Sequence, residues 1–170
     1  MIEIGDKIPE ILGVDQDGKE YTRKGLKGQK FVLYFYPKDN TSGCTAEACS
    51  FRDGMGDLCS FRDGMADLQD AGYQVIGVSK DSAKSHQKFI EQHSLPFPLI
   101  VDTETELQQD FGVWVEKSMY GRKYMGTQRT TFLIDEEGVV RGKFSGREIK
   151  TKEHAAQVLK LIKQLEEDKE

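Results

Sequence analysis

The chain has 170 residues, 37% of them hydrophobic, and a formal net charge of −5. That length predicts one domain, residues 1–170, large enough to bury a sizeable core. The acidic balance, with Lys and Arg scattered among acids, excludes the concentrated basic face of a nucleic-acid binder, and no apolar run reaches the length of a membrane span.

Met1–Lys7 lacks the charged-then-apolar layout of a secretory signal, so a soluble, cytoplasmic protein is expected. Ile11–Val14 and Glu20–Thr22, joined through residues 15–18 with their Asp-Gly step, predict a short hairpin. Lys30–Tyr36 is apolar, aromatic and β-branched, which predicts a buried central strand. A turn rich in Pro, Asp, Asn and Gly follows, and a helical region is expected from Cys44 to about Ala71, with Gly72 as its C-cap. Tyr73–Ser79 predicts a second strand, followed by a helix from Asp81 or Ser82 to about His93. Phe97–Val101, preceded by Pro96, reads as a short strand near a sheet edge. Thr105–Phe111 suits a short helix. Thr130–Ile134 and Val139–Phe144 flank residues 135–138 in a hairpin pattern. Thr151–Leu165 repeats apolar residues at Ala155, Val158, Leu159, Ile162 and Leu165, the spacing of an amphipathic closing helix, and residues 166–170 are expected to fray. The order predicts an α/β fold of thioredoxin type: a central mixed sheet flanked by helices, with an N-terminal hairpin.

The three cysteines are an odd number and too few for a secreted disulfide scaffold. Cys44 stands at the first turn of a helix that follows a central strand. Unpaired backbone N–H groups and the positive end of the helix dipole favour an anion there, and the thiolate is the nucleophilic form of cysteine. The alternative is a small buried hydrophobe, against which the polar flanks of the Gly-Cys-Thr turn argue.

These residues resemble a known family. Pro37-x3-Thr41-x2-Cys44 is similar to the peroxidatic-cysteine motif of the peroxiredoxins, and the longer string FYPKDNTSGCTAEACSFRD, Phe35 to Asp53, resembles their Q-type branch, also called bacterioferritin comigratory protein. Cys49 matches that branch's second cysteine, five positions after the first. The stretch from Tyr120 to Asp135 resembles the family too, and its active-site arginine falls on Arg129. Ser42 departs from the branch, which more often has proline there; this touches loop rigidity and not chemistry. The resemblance implies a thiol-dependent peroxidase without cofactor or metal. Cys44 would attack a hydroperoxide and become a sulfenic acid. Arg129 would offer permanent charge to the reacting atoms, Thr41 would hold the peroxide or the thiolate through its hydroxyl, and Pro37 would wall the sulfur from solvent. On their residue types alone, Pro37 and Thr41 read equally as turn formers; the lesser alternative for Arg129 is a surface ion pair.

The resemblance also implies a disulfide cycle, with reduction by thioredoxin or a similar dithiol, and a monomer. Cys44 and Cys49 would lie about 8–9 Å apart at Cα in an intact helix, beyond the roughly 7 Å a disulfide tolerates, so the first turns must unwind. Residues 49–58 are repeated as 59–68, differing only at Gly56 against Ala66. Ten extra residues would lengthen a helix by about 15 Å and rotate its later face by about 80°, so a break is expected near Gly54 and Gly56. Distance favours Cys49 as the resolving residue; looping out of the first copy would give that place to Cys59.

His86, His93 and His154 show no triad or metal-ligand spacing around the cysteines, and His86 and His93 are expected on a solvated helix face. Trp114 and Tyr120–Tyr124 read as pocket rim, core or loop anchors. Two other functions stay open at this stage: a disulfide oxidoreductase, though that chemistry favours C-x-x-C, and a non-catalytic redox sensor.

Overall fold

The computed structural model describes residues 2–39, 41–53, 72–95, 97–150 and 154–168. Its strands are β1 (Ile11–Asp15), β2 (Glu20–Thr22), β3 (Lys30–Phe35), β4 (Tyr73–Ser79), β5 (Leu99–Val101), β6 (Trp114–Met119), β7 (Arg122–Thr127), β8 (Thr130–Ile134) and β9 (Val140–Ser145). The described helices are α1 (Ser42–Asp53), α2 (Ala83–His93), α3 (Glu106–Phe111) and α4 (His154–Asp168). Seven strands form one mixed sheet in the order β2-β1-β5-β4-β3-β8-β9, and β6 pairs with β7 apart from it. This is the thioredoxin-like α/β architecture expected.

The central strand β3 shows why its sequence is an unbroken apolar run. Val32, Tyr34 and Tyr36 face a layer shared with Phe89 of α2 and with Val158 and Ile162 of α4. Phe31, Leu33 and Phe35 face the other layer, with Leu107 and Phe111 of α3. A strand covered on both faces has no side to leave polar. β3 runs parallel to β4 and antiparallel to β8.

Three expectations need correction. The strand predicted at 97–101 is shorter and lies inside the sheet, because β1 pairs antiparallel with β5 through Val14↔Val101 and Asp15↔Ile100. Pro98 precedes the ladder and costs it no donor, while its carbonyl accepts from Gly77 N at 3.1 Å. Trp114 and Tyr120–Tyr124 belong to the β6–β7 hairpin, whose turn residues Tyr120 and Gly121 both have positive φ, 54° and 79°. Such a turn favours Asn-Gly or Asp-Gly, so Tyr-Gly gave no signal. Finally, α4 stays helical through Asp168 where fraying was expected.

The helix predicted from Cys44 is described as far as Asp53. The expected break near Gly54 and Gly56, and Cys59 itself, lie outside the described residues. Among those residues no helix is long and apolar enough to cross a membrane.

Candidate active site

The sheet register brings two distant parts of the chain to one end of β3. Phe35 pairs with Thr130, so Arg129, just before β8, lies beside the point where β3 gives way to the loop leading into α1. Thr45 N donates to Thr41 O at 2.8 Å as that helix begins. Cys44 in its first turn is 1% exposed, packed with Tyr34, Tyr36 and Ala48. The expected exposure of this sulfur is therefore wrong, since the helix start rests on the aromatic layer of β3. Burial does not make Cys44 a mere hydrophobe. Arg129 Nη2 donates to its Sγ at 3.1 Å.

The same guanidinium donates through Nη1 to Glu47 Oε1 at 2.5 Å. Glu47 follows Cys44 by three residues, on the same helix face, and its side chain is fully buried. Burial pushes its carboxyl up to about 7, against the charge and hydrogen bond of Arg129, which lower it. Its Oε2 has no hydrogen bond among the described residues and lies 3.8 Å from His154 Nε2. Gln157 is oriented by Lys150 N, which donates to its Oε1, and by Glu148 O, which accepts from its Nε2. Its Oε1 therefore accepts from His154 Nδ1 at 2.9 Å. His154 Nε2 is left to accept the Thr131 hydroxyl at 2.7 Å. Burial holds this imidazole down at about 4, so it is neutral. The sequence reading missed Glu47, although its spacing from Cys44 was available as a signal.

The loop before α1 is anchored from below. Asp39 Oδ1 accepts the Tyr36 hydroxyl at 2.6 Å, and Oδ2 accepts Ser85 Oγ at 2.7 Å and His86 Nδ1 at 2.8 Å. His86 Nε2 donates to Ile100 O at 2.9 Å. Burial alone would raise the Asp39 carboxyl, but His86, Tyr36 and Ser85 hold it below the usual range. His86 is therefore a buried anchor and not a solvated residue, because α2 turns the stripe of Ala83, His86, Phe89 and Ile90 inward.

Pro37 stands half-buried where β3 ends. Thr41 is exposed, and its hydroxyl donates to Lys38 O at 3.2 Å, a turn contact. Cys49 is half-buried, with Sγ 3.9 Å from Nδ1 of His93, itself half-buried. This corrects the reading of His93 as a solvated residue unrelated to the cysteines.

A model of the AhpC/TSA family matches residues 4–143. The chain belongs to that family, as a peroxiredoxin of its Q, or bacterioferritin comigratory protein, branch. It is 43% identical over 166 residues to peroxiredoxin Bcp of Bacillus subtilis, covering 98% of both chains. It is 36% identical over 163 residues to peroxiredoxin Bcp of Escherichia coli K12, covering 96% of this chain and 97% of that one. Among solved structures, Xanthomonas campestris peroxiredoxin Q superposes with a TM-score of 0.79 at 33% identity, covering 96% of each chain. As a peroxiredoxin the chain is an enzyme, a thiol-dependent peroxidase with a peroxide substrate and a reductant.

Proposed function

We propose that Cys44 is the peroxidatic residue of a single peroxiredoxin domain spanning residues 1–170, which reduces hydrogen peroxide and organic hydroperoxides. A solved structure of Xanthomonas campestris bacterioferritin comigratory protein concerns its alkyl peroxide reduction activity, and at 32% identity and a TM-score of 0.76 it supports the organic substrates. The observation that carries the assignment is the 3.1 Å bond from Arg129 Nη2 to Cys44 Sγ. A sulfur anion accepts such a charge-assisted bond far better than a thiol does. The Sγ electron pair attacks the distal peroxide oxygen, an S–O bond forms and the O–O bond breaks. Sulfur becomes a sulfenic acid, and water or an alcohol departs. Arg129 serves this step because its charge is permanent and its donors are fixed in a plane, with Nη1 clamped by Glu47. Glu47 is thus a positioning residue. Thr41 presents the peroxide through its hydroxyl once that leaves the Lys38 carbonyl, and Pro37 shields the sulfur.

Cys49 then resolves the sulfenic acid as an intramolecular disulfide, with Cys59 as the alternative. α1 is helical across both Cys44 and Cys49. Their Cα atoms therefore stand about 8–9 Å apart, and a disulfide needs less than about 7 Å, so α1 unwinds first. The exposed disulfide is reduced by thioredoxin or a similar dithiol. A cytoplasmic monomer suits this intramolecular cycle.

The test is peroxide consumption coupled to thioredoxin, thioredoxin reductase and NADPH. Turnover is expected in the wild type and in Cys59→Ser, and its loss in Cys44→Ser and Cys49→Ser. Turnover surviving in Cys44→Ser would overturn the assignment. Unchanged turnover in Cys49→Ser would move the resolving role to Cys59 or to an external thiol.

A further inference from the structure

Arg129 meets two acids with one charge. Its Nη2 donates to Cys44 Sγ at 3.1 Å, and its Nη1 donates to Glu47 Oε1. Cys44 and Glu47 are 1% and 0% exposed, so water screens neither. Two anions held dry against a single cation carry a large desolvation penalty. When Cys44 is the thiolate, Glu47 therefore needs either a proton or a second cation.

The groups around Glu47 supply no second cation. From α4, His154 Nε2 stands 3.8 Å from Glu47 Oε2. The proton of this neutral ring is on Nδ1, given to Gln157 Oε1, and Nε2 accepts the Thr131 hydroxyl of β8. It has no hydrogen to offer Oε2. From β3, Tyr34 brings a phenol that burial, followed by the charges of Glu47 and Cys44, keeps protonated. Within α1 the ionisable neighbour is Cys44 itself. Glu47 Oε2 is buried without a hydrogen bond among the described residues. An ionised oxygen in such a place lacks the donors that a buried carboxylate requires. A neutral acid fits it, with carbonyl Oε1 accepting from Arg129 and hydroxyl Oε2 turned to the unprotonated ring nitrogen.

We propose that Glu47 carries a proton on Oε2 while Cys44 is the thiolate, and that loss of this proton draws the Arg129 charge away from the sulfur and slows the peroxidatic step. The proposal deepens the reading of Cys44 as the peroxidatic residue and rests on it. Glu47 acts through Arg129 and does not touch the peroxide, so it remains a positioning residue. With its proton, Oε1 still fixes the plane of the guanidinium and the charge is left for Sγ and the departing oxygen. Without it, carboxylate and thiolate divide one cation, and the charge that builds on the departing oxygen is less well met. Burial raises the Glu47 carboxyl to about 7, against Arg129, which lowers it, so the change falls near neutral pH. The coupling is reciprocal. Oxidation of Cys44 to the uncharged sulfenic acid removes one anion and makes ionisation of Glu47 easier.

The experiment measures the rate constant for oxidation of Cys44 by hydrogen peroxide between pH 5.5 and 8.5, in the Cys49→Ser, Cys59→Ser background, with and without Glu47→Gln. Glutamine keeps a carbonyl for Nη1 and cannot ionise. The ratio of the rate constants, variant over parent, is expected to rise about 10-fold across this range with its midpoint near pH 7, less than the effect of removing a charge-stabilising donor outright. A loss of fit alone would lower the ratio equally at every pH. A ratio that is constant or falls with pH would overturn the proposal. NMR of the parent protein, isotope-labelled at its glutamate carboxyl carbons, needs no substitution at the site. One carboxyl is expected to titrate near pH 7 and to move lower once Cys44 is a sulfenic acid. Titration of every glutamate in the ordinary range would also overturn the proposal. A parent protein that forms no sulfenic acid on Cys44 would instead remove the Cys44 assignment beneath it.

Discussion

Cys49 Sγ stands 3.9 Å from His93 Nδ1, so the second thiol of α1 is docked on α2 and turned about 140° around the helix from Cys44. The disulfide cycle proposed for Cys44 and Cys49 would have to break this contact as well as the helix. Hydrogen exchange of the α1 amides is expected to quicken on oxidation by one equivalent of peroxide, while the β3 and β4 amides stay protected. Unchanged protection of α1 in a fully disulfide-bonded sample would contradict the unwinding. His93→Ala removes a contact worth about 0.5–1 kcal/mol, so condensation of the sulfenic acid is expected to run about 2–5-fold faster, read by quenched-flow thiol counting.

Glu47 and His154 bias stability in opposite directions across acid pH. The Glu47 carboxyl, held up to about 7 by burial, keeps its proton in the folded state where the unfolded chain has lost it. This contribution to stability falls as pH rises from the ordinary glutamate value to about 7. His154, held down to about 4, stays neutral in the folded state while the unfolded chain is protonated, so its contribution rises with pH up to the ordinary histidine value. Glu47→Gln is expected to make the slope of stability against pH more positive, by as much as about 1.4 kcal/mol per pH unit, and His154→Gln to make it more negative. Urea denaturation at pH 4.5, 5.5 and 6.5 measures both. Parallel slopes in all three proteins would show that neither group is perturbed.

Asp39 ties the loop of Pro37 and Thr41 to α2 through Ser85 and His86, with Tyr36 below. Asp39→Ala strips two buried donors, Tyr36 and His86, and the half-buried Ser85 of their acceptor. A loss of about 3–5 kcal/mol is expected, as for other broken buried pairs, and urea denaturation at pH 7 reads it. A loss under about 1 kcal/mol would mean that the network does not anchor the loop.

Much of this site was legible in the chain, and the failures have physical causes. The apolar run 30–36, the turn into Cys44 and the strand after Arg129 were each readable, because a doubly covered strand and a helix start leave strong local signals. That Arg129 touches Cys44 depends on the antiparallel register of β3 with β8, which no local pattern carries. His86 was misplaced because a histidine reads as polar, although it falls on the stripe of Ala83, Phe89 and Ile90. The β6–β7 hairpin escaped because charged residues fill both faces and its turn is Tyr-Gly. Cys44 was expected to be exposed from its polar neighbours in sequence, whereas its neighbours in space are Tyr34 and Tyr36.

The clamp itself gives the sharpest test. Arg129→Lys keeps the charge, but one ammonium cannot hold both Glu47 and Sγ in the planar geometry of the guanidinium. The measurement is the second-order rate constant for oxidation of Cys44 by hydrogen peroxide, followed as sulfenic acid by mass spectrometry in the Cys49→Ser, Cys59→Ser background. A fall of about 100-fold or more is expected, the scale seen when one charge-stabilising donor is removed from an active site. An unchanged rate constant, with the sulfenic acid still forming on Cys44, would contradict the role given to the guanidinium.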